Sequence, residues 1–383
     1  MNAAAIFAPF ALLSLVLALW QWLAARRFPL HKRIAKPDFS PPISILKPLR
    51  GCDKTIAESL KSWFGQNYTG QIQILFGVAD ANDPICKIVR ELLRENPGHD
   101  AQLLVCSESL GTSGKVSTLI QLERLAKHPL ILVSDADVRV PPDFLANLAA
   151  PLRDPKTGLV NCFYRLANPV TAAMRCEAIA INADFWSQVL QSASLKPLDF
   201  ALGAVMLTRR NLLEEIGGFR ALAGCLADDY QLGHRIAKKG HHIALCPVVV
   251  ECWDAPMNWR DVWKHQLRWA RTIRVCQPVP YFFSILSNAT LWPLLWLLAS
   301  LVLSKSLCVP LAALALLLMR IVTAQNLQRR FSPLCNNLAP PWLVPVKDLL
   351  QAAVWMGAFL GNTVEWRGQK MYLRRDGTLV EKK

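Results

Sequence analysis

The sequence has no C-x-x-C pair among its eleven cysteines, no acid in its first 37 residues and no charge in its first 25. Scattered and odd in number, the cysteines outline neither a zinc site nor a disulfide framework, and they read as buried thiols in a reducing compartment. The seven histidines, the His241-His242 pair included, lack ligand spacing and read as structural. No internal repeat or low-complexity linker is present. A module alternating basic and aromatic residues is also missing, which argues against a nucleic-acid partner. Gly111-Thr-Ser-Gly-Lys-Val-Ser117 carries one cation in a glycine loop but not the spacing of a P-loop. Charge is sparse altogether, at 19% of residues against 52% hydrophobic, which is apolar for a soluble enzyme.

The charge that is present is unevenly placed. Residues 1–37 hold five basic groups (Arg26, Arg27, Lys32, Arg33, Lys36), and residues 276–383 hold eleven against four acids. The middle, 38–275, is nearly balanced, with 27 basic and 24 acidic residues of a chain whose net charge is +15. The excess therefore flanks apolar runs, the pattern of positive-inside topology beside anionic headgroups. Residues 1–25 are long enough to span a bilayer and lack the basic start of a cleaved signal, so they predict an anchor with the following domain in the cytosol. Two further apolar stretches, 276–304 and 306–319, separated by Lys305, predict a hairpin of two helices returning at 320–330. A third, 349–364, with Lys347 and Asp348 at its mouth, predicts a spanning or interfacial helix. No apolar segment shows a paired charge, which argues against a transporter. Too few spans are available for the channel of a processive polysaccharide synthase.

Between the apolar ends, 42–48 (PISILKP), 71–80 (QIQILFGVAD), 102–107 (QLLVCS) and 130–134 (LILVS) are of strand length. Helical periods at 55–64, 84–95 and 115–126 separate them, which predicts an α/β fold with a mainly parallel sheet. Ligands of such sheets sit beyond the carboxyl ends of the strands. That rule singles out Asp80 and the D-x-D of Asp135 and Asp137. Two carboxylates one residue apart are hard oxygen ligands for a divalent cation, Mg²⁺ or Mn²⁺, of the kind completed by substrate phosphates. Asp228 and Asp229 open a helical stretch; one is expected to cap it, leaving the other to accept a proton from a hydroxyl. Lys115 is placed to meet a phosphate. Arg209-Arg210 followed by Ile216-Gly-Gly-Phe219 predicts a helix after a strand, stopped by glycine. From 258 to 275, Trp259, Trp263 and Leu267 form one stripe while Arg260, Lys264, Arg268 and Arg271 form another. That pattern predicts an amphipathic helix at a membrane interface, with Arg268 able to meet a diphosphate.

Together these residues resemble the ceramide glucosyltransferase family, inverting lipid glycosyltransferases of the GT-A fold, and similar bacterial hopanoid glycosyltransferases. The resemblance runs through Ser44-Ile-Leu-Lys-Pro-Leu49, Gly77-Val-Ala-Asp80, Lys115, Ser134-Asp-Ala-Asp-Val-Arg-Val140, Gly158-Leu-Val160, Gly217-Gly218, Asp228-Asp229-Tyr230 and Arg268-Trp269. It implies a GT-A catalytic domain over 38–257, an anchor over 1–25, an interfacial helix over 258–275 and a membrane region with a basic tail over 276–383. It further implies Asp80 and Lys115 at the nucleotide end of the donor, Asp135 and Asp137 on metal and diphosphate, and Asp229 beside Asp228 as base. Arg268 and Trp269 end the family's Q/R-x-x-R-W signature, whose first position is here His265. The implied reaction moves a hexose from a UDP-sugar, UDP-glucose first, to a lipid hydroxyl such as that of ceramide, with inversion. N-acetylglucosamine transfer to a hopanoid is the alternative, and a non-catalytic nucleotide-binding membrane scaffold the rival from another class. The implied setting is a bacterial inner membrane.

Overall fold

The computed structural model describes residues 3–34, 38–51, 55–303, 307–333, 338–366, 369–374 and 377–381. Lys36, Lys305, Arg367, Arg375, Lys382 and Lys383, counted above among the flanking charges, lie outside them. The chain divides into two interleaved units: a helical unit of Met1–Phe28, Pro169–Leu195 and Pro256–Asp376, and a sheet unit of Pro29–Asn168, Lys196–Ala255 and Gly377–Lys383.

The sheet unit holds strands β1 (Ile43–Leu49), β2 (Ile72–Val78), β3 (Asp100–Val105), β4 (Leu130–Ser134), β5 (Val138–Arg139), β6 (Thr157–Leu166), β7 (Val205–Arg209) and β8 (His242–Cys252). Its helices are α2 (Ile56–Lys61), α3 (Ile85–Glu95), α4 (Gly114–Glu123), α5 (Phe144–Ala149), α8 (Arg210–Glu215) and α9 (Asp228–Lys238). The strand order is β3-β2-β1-β4-β7-β6-β8-β5. The first four strands are parallel, as the alternating pattern predicts; β7 runs against β4 and β6, and β6 is parallel to β8. Strands β1 and β4 are buried at every position, the expected state of central strands with helices over both faces. Ile45, Phe76, Leu132, Phe144, Val160 and Leu207 pack in one core. Register pairs Leu49 with Val78 and Leu46 with Val133, so Asp80 and Asp135 both follow the carboxyl edge. Helix α8 stops as the glycines predict: Gly217 and Gly218 take φ of +92° and +64°, a region glycine enters without steric cost.

In the helical unit, α1 (Ala3–Arg27), α6 (Ala172–Ile179), α7 (Trp186–Ala193), α10 (Trp259–Cys276), α11 (Pro278–Phe283), α12 (Leu291–Leu303), α13 (Cys308–Phe331) and α14 (Leu343–Phe359) precede a hairpin of β9 (Thr363–Trp366) and β10 (Gln369–Leu373). A further strand, β11 (Leu379–Glu381), belongs to the sheet unit, where the Leu379 N–H donates to the Gly224 carbonyl. Helices α1 and α13 are long and apolar enough to cross a membrane. A third span arises if 278–287 and 291–302, bent by 44°, count as one. The stretch 276–304 is thus not one helix arm. Pro278 starts a new helix, and Asn288 accepts from the Thr290 and Leu291 N–H groups to start the next. The expected run at 349–364 is displaced too, since α14 begins at Leu343 and Thr363 already lies in a strand. Of the apolar stripe on α10, Trp263 and Leu267 pack on Val354 and Ala358 of α14, and only Trp259 stands exposed.

The largest departure concerns charge. Helix α13 continues past Arg320, which is buried and donates to Asp184 at 2.9 Å and to Asp348 at 2.8 Å. Lys347 joins the same two carboxylates, and Thr290 donates to Asp348 at 2.6 Å. A paired charge therefore does sit in an apolar helix. Its Asp184 partner is 136 residues away in sequence, on a π-helical turn (Ala180–Phe185), so local pattern gave no sign of it. Two cations and two anions close the cluster on itself. Replacing Arg320 with Met leaves two buried carboxylates facing one ammonium, a loss of about 3–5 kcal/mol for a broken buried pair. Thermal unfolding in detergent is expected to show a correspondingly lower transition; an unchanged transition would mean the cluster contributes no stability.

Candidate active site

The carboxyl edge of the sheet gathers five of the singled-out side chains. Strand β4 ends at Ser134, so Asp135 emerges directly from a buried central strand. Across the gap, helix α9 begins at Asp228, and helix α4 at Gly114. Lys115, in the first turn of α4, links them: its Nζ lies 2.8 Å from Asp135 Oδ1 and 3.3 Å from Asp228 Oδ2. The glycine loop ahead of α4 is held closely, since a Cβ at Gly111 would stand 2.4 Å from the Ala223 carbonyl oxygen. Ser113 caps α4 by accepting from the Val116 N–H.

Electrostatics follow from burial among like charges. Burial raises the Asp229 carboxyl to about 6, with the neighbouring Asp228 adding to the rise and Lys115 opposing it. Burial likewise lifts Asp137 to about 7, helped by Asp135 and Asp254. For Lys115 burial alone would lower the ammonium, but Asp135 and Asp228 outweigh it and hold it above the ordinary lysine value. Neither Asp228 nor Asp229 caps α9, contrary to expectation. The N-cap position is Ala227, with no side-chain bond. Both acids are inside the helix, Asp228 engaged by Lys115 and Asp229 accepting from the Tyr230 N–H at 2.8 Å.

Three positioning residues were not singled out as functional from sequence. Lys47, fully buried in β1, donates to the Asp135 carbonyl at 2.8 Å and to Ser134 at 3.2 Å, and stands 4.4 Å from the Trp63 ring. Burial brings its ammonium down to about 7 against the pull of Asp137 and Asp135. A lysine inside the apolar run ISILKPL was the available signal. Gly203 abuts the base candidate: a Cβ there would lie 2.6 Å from Asp229 Oδ2. Gly233 lets α9 approach the preceding loop, where a Cβ would meet the Ala201 nitrogen at 2.2 Å.

Asp80 is exposed beyond β2, its carboxylate accepting from the Asn82 N–H at 2.9 Å within its own turn. Arg268 and Trp269 belong to the helical unit, on α10. There the Trp269 ring lies edge-on to His265 at 4.6 Å and 6.2 Å from Phe185. Arg271 and Arg274 of the same helix bind the Thr363 carbonyl and the Asn362 side chain, so they serve the fold of that unit.

The pair Asp135 and Asp137 fits a divalent cation by the chemistry of its donors. Two hard carboxylates are present, and one of them carries more negative surroundings than Lys47 offsets. Among the described residues no group of three or more His, Cys, Asp or Glu side chains forms a metal cage. The protein would thus supply two ligands and leave the others to a phosphate-bearing substrate and water. Cys86, Cys106, Cys162, Cys176, Cys246 and Cys252 are buried free thiols.

Over residues 6–379 the sequence matches the family model "Glycosyl transferase family 21". It is 23% identical to ceramide glucosyltransferase 3 of Caenorhabditis elegans over 375 residues, 94% of this chain and 79% of that protein. Ceramide glucosyltransferase 1 of the same organism is 24% identical over 226 residues, 56% of this chain and 46% of that relative, so this match spans about half of the relative's length. Among solved structures, the mannosyltransferase PcManGT from Pyrobaculum calidifontis, in complex with GDP-Man and Mn²⁺, superposes with a TM-score of 0.55 at 20% identity. That likeness covers 93% of this chain and 99% of that one, and it bears on the fold. With a family match running almost from end to end, a glycosyltransferase sheet and apolar helices of membrane-crossing length, this chain belongs to glycosyl transferase family 21.

Proposed function

We propose that the protein transfers a hexose from a UDP-sugar, UDP-glucose foremost, to the hydroxyl of a membrane lipid, ceramide foremost, with inversion. The observation that carries this reading is the bridge of Lys115 between Asp135 and Asp228, with the Asp229 carboxyl beside it lifted to about 6. A carboxyl so tuned is matched to proton abstraction near neutral pH. The names of the relatives, ceramide glucosyltransferases, support the acceptor and the sugar. The GDP-Man and Mn²⁺ of the mannosyltransferase structure support a nucleotide-sugar donor and a divalent cation.

In this reading Asp229 takes the proton of the lipid hydroxyl as its oxygen bonds to the anomeric carbon, and the bond from that carbon to the diphosphate breaks on the opposite face. A cation held by Asp135 and Asp137 would neutralise the charge developing on the diphosphate. Lys115 holds Asp135 and Asp228 in place and offers a positive charge to the phosphates, while Lys47 fixes the Asp135 backbone. Asp80 is assigned to the nucleotide. Arg268 and Trp269 enter through the signature they end, Arg268 as a partner for the departing diphosphate. The anchor at 1–25, the catalytic domain at 38–257 on the cytosolic side, the interfacial helix at 258–275 and the membrane region at 276–383 complete the proposal, set in a bacterial inner membrane.

Purified protein in detergent with Mg²⁺ or Mn²⁺ is expected to form a β-linked glycolipid from UDP-glucose and ceramide, and to lose that activity with EDTA. Product only from UDP-N-acetylglucosamine and a hopanoid polyol would move the assignment to that pair. UDP binding without product from either pair would favour a non-catalytic scaffold. Asp229→Asn is expected to lower kcat by about 10²–10⁴-fold, the usual weight of a general base, while donor affinity stays within a few-fold; full turnover would remove Asp229 from the chemistry. The base works only when ionised, so the wild-type rate should fall as pH drops through about 6. A rate flat from pH 5 to 8 would contradict that role.

A further inference from the structure

Just ahead of α9 lies a short segment, 223–226, that is bonded on two sides within the sheet unit. On one side the Ala223 carbonyl accepts from the N–H of Ser113, the residue that caps the helix carrying Lys115, at 3.3 Å. On the other, residues 377–379 run antiparallel to it. The Leu379 N–H donates to the Gly224 carbonyl at 2.8 Å, the Leu226 N–H donates to the Gly377 carbonyl at 3.4 Å, and Cys225 pairs with Thr378. Cys225, Leu226 and Leu379 are all buried. Ala227 is then the N-cap of α9, and Asp228 and Asp229 open its first turn. This N-cap makes no side-chain bond. A first turn without one keeps leading N–H groups that have no intrahelical partner, and it frays more easily. The bond from the Tyr230 N–H to Asp229 stays inside the turn and ties it to nothing else. Lys115 holds Asp228 by its side chain. The backbone is held by the bonds of Gly224 and Leu226, immediately before the N-cap. Gly377 also borders the turn itself, since a Cβ there would lie 3.8 Å from Gln231 Nε2.

We propose that Gly377–Leu379 is a strap that positions the base: by pairing with 224–226 it takes the place of the missing side-chain cap and holds the first turn of α9, and with it Asp229, in register for proton abstraction. The inference rests on the reading above that Asp229 is that base. Leu379 is a positioning residue that acts through the backbone of Gly224. Release of the strap has a signature of its own. Burial is the main cause of the raised Asp229 carboxyl. Of the groups around it, Asp228 on α9 and Asp135 beyond β4 raise it further, while Lys115 on α4 and the Tyr230 N–H oppose them. A change at Leu379 removes none of these groups. It lets water into the first turn, so the carboxyl moves down toward its ordinary value.

The test uses the full chain in detergent and the variant Leu379→Pro, which deletes the N–H that Gly224 accepts. Hydrogen exchange of the wild type should show the Leu226 amide protected. In the variant, exchange across 224–231 should speed about tenfold or more, while β1 and β4 stay within about twofold. Turnover of UDP-glucose with ceramide should lose about five- to tenfold in kcat, the weight of one hydrogen bond. The acid limb of kcat should move from about 6 in the wild type to lower pH in the variant. Unchanged exchange at 224–231, or unchanged kcat, overturns the strap. So does a kcat lowered by the same factor at every pH, which would mean only that less of the variant is folded. A chain ended after Asp376 lacks the strap altogether and should repeat all three effects, which decides the matter if Leu379→Pro does not fold. If neither folds, the wild type decides, because a freely exchanging Leu226 amide overturns the pairing. If the wild type forms no glycolipid, the transfer reading fails by itself, and exchange at 224–231 still decides whether the strap holds α9.

Discussion

The geometry at the sheet unit's carboxyl edge depends on one ammonium, that of Lys115, held between an acid that follows β4 and one that opens α9. Asp135 leaves a strand and Asp228 opens a helix, and each would repel the other without the cation at 2.8 and 3.3 Å. Because both contacts converge on a single side chain in the first turn of α4, the end of β4 and the start of α9 are set relative to each other. Asp229 is then placed by the helix geometry of its neighbour. Tight backbone approaches complete the fixing, with Gly203 against Asp229 and Gly233 against the loop before β7. In the proposed reading such an arrangement would be preorganised, which is how a polar site favours a charged transition state over its ground state.

What was legible in the sequence was what local pattern encodes. The apolar run LILVS ends at Ser134 and is followed by D-x-D, so the acids had to appear at a strand's carboxyl end once the βαβ rhythm was recognised. The parallel half of the sheet and the glycine stop after α8 were legible for the same reason. What escaped was set by partners distant along the chain. Lys47 is separated from Asp135 by 88 residues. Asp184 and Arg320 are farther apart still. Hydropathy also misplaced helix ends, since Lys347 and Asp348 look like a boundary until their countercharges are known. The capping expectation failed at Asp228 because Lys115 engages its carboxylate, and at Asp229 because that residue lies inside the helix and accepts from the Tyr230 N–H.

The two units carry buried charge in contrasting ways, and the contrast separates structure from chemistry. In the helical unit, Arg320 and Lys347 face Asp184 and Asp348, two against two, with hydrogen bonds among them. Such a cluster has no electrostatic use for a ligand. In the sheet unit, Asp135, Asp137, Asp228 and Asp229 face Lys115 and Lys47, and Asp254 adds to the acid side. The imbalance adds to burial in lifting two carboxyls to about 6 and 7, while burial brings Lys47 down to about 7 against the pull of those acids. A fold that buries surplus negative charge gives up stability unless something positive binds. In the proposed reading, a divalent cation arriving with a nucleotide diphosphate would answer part of that demand at the D-x-D. Asp229 would then be left as the acid that trades its proton. In the proposed reading, the same surplus that costs the sheet unit stability marks where its substrates would bind.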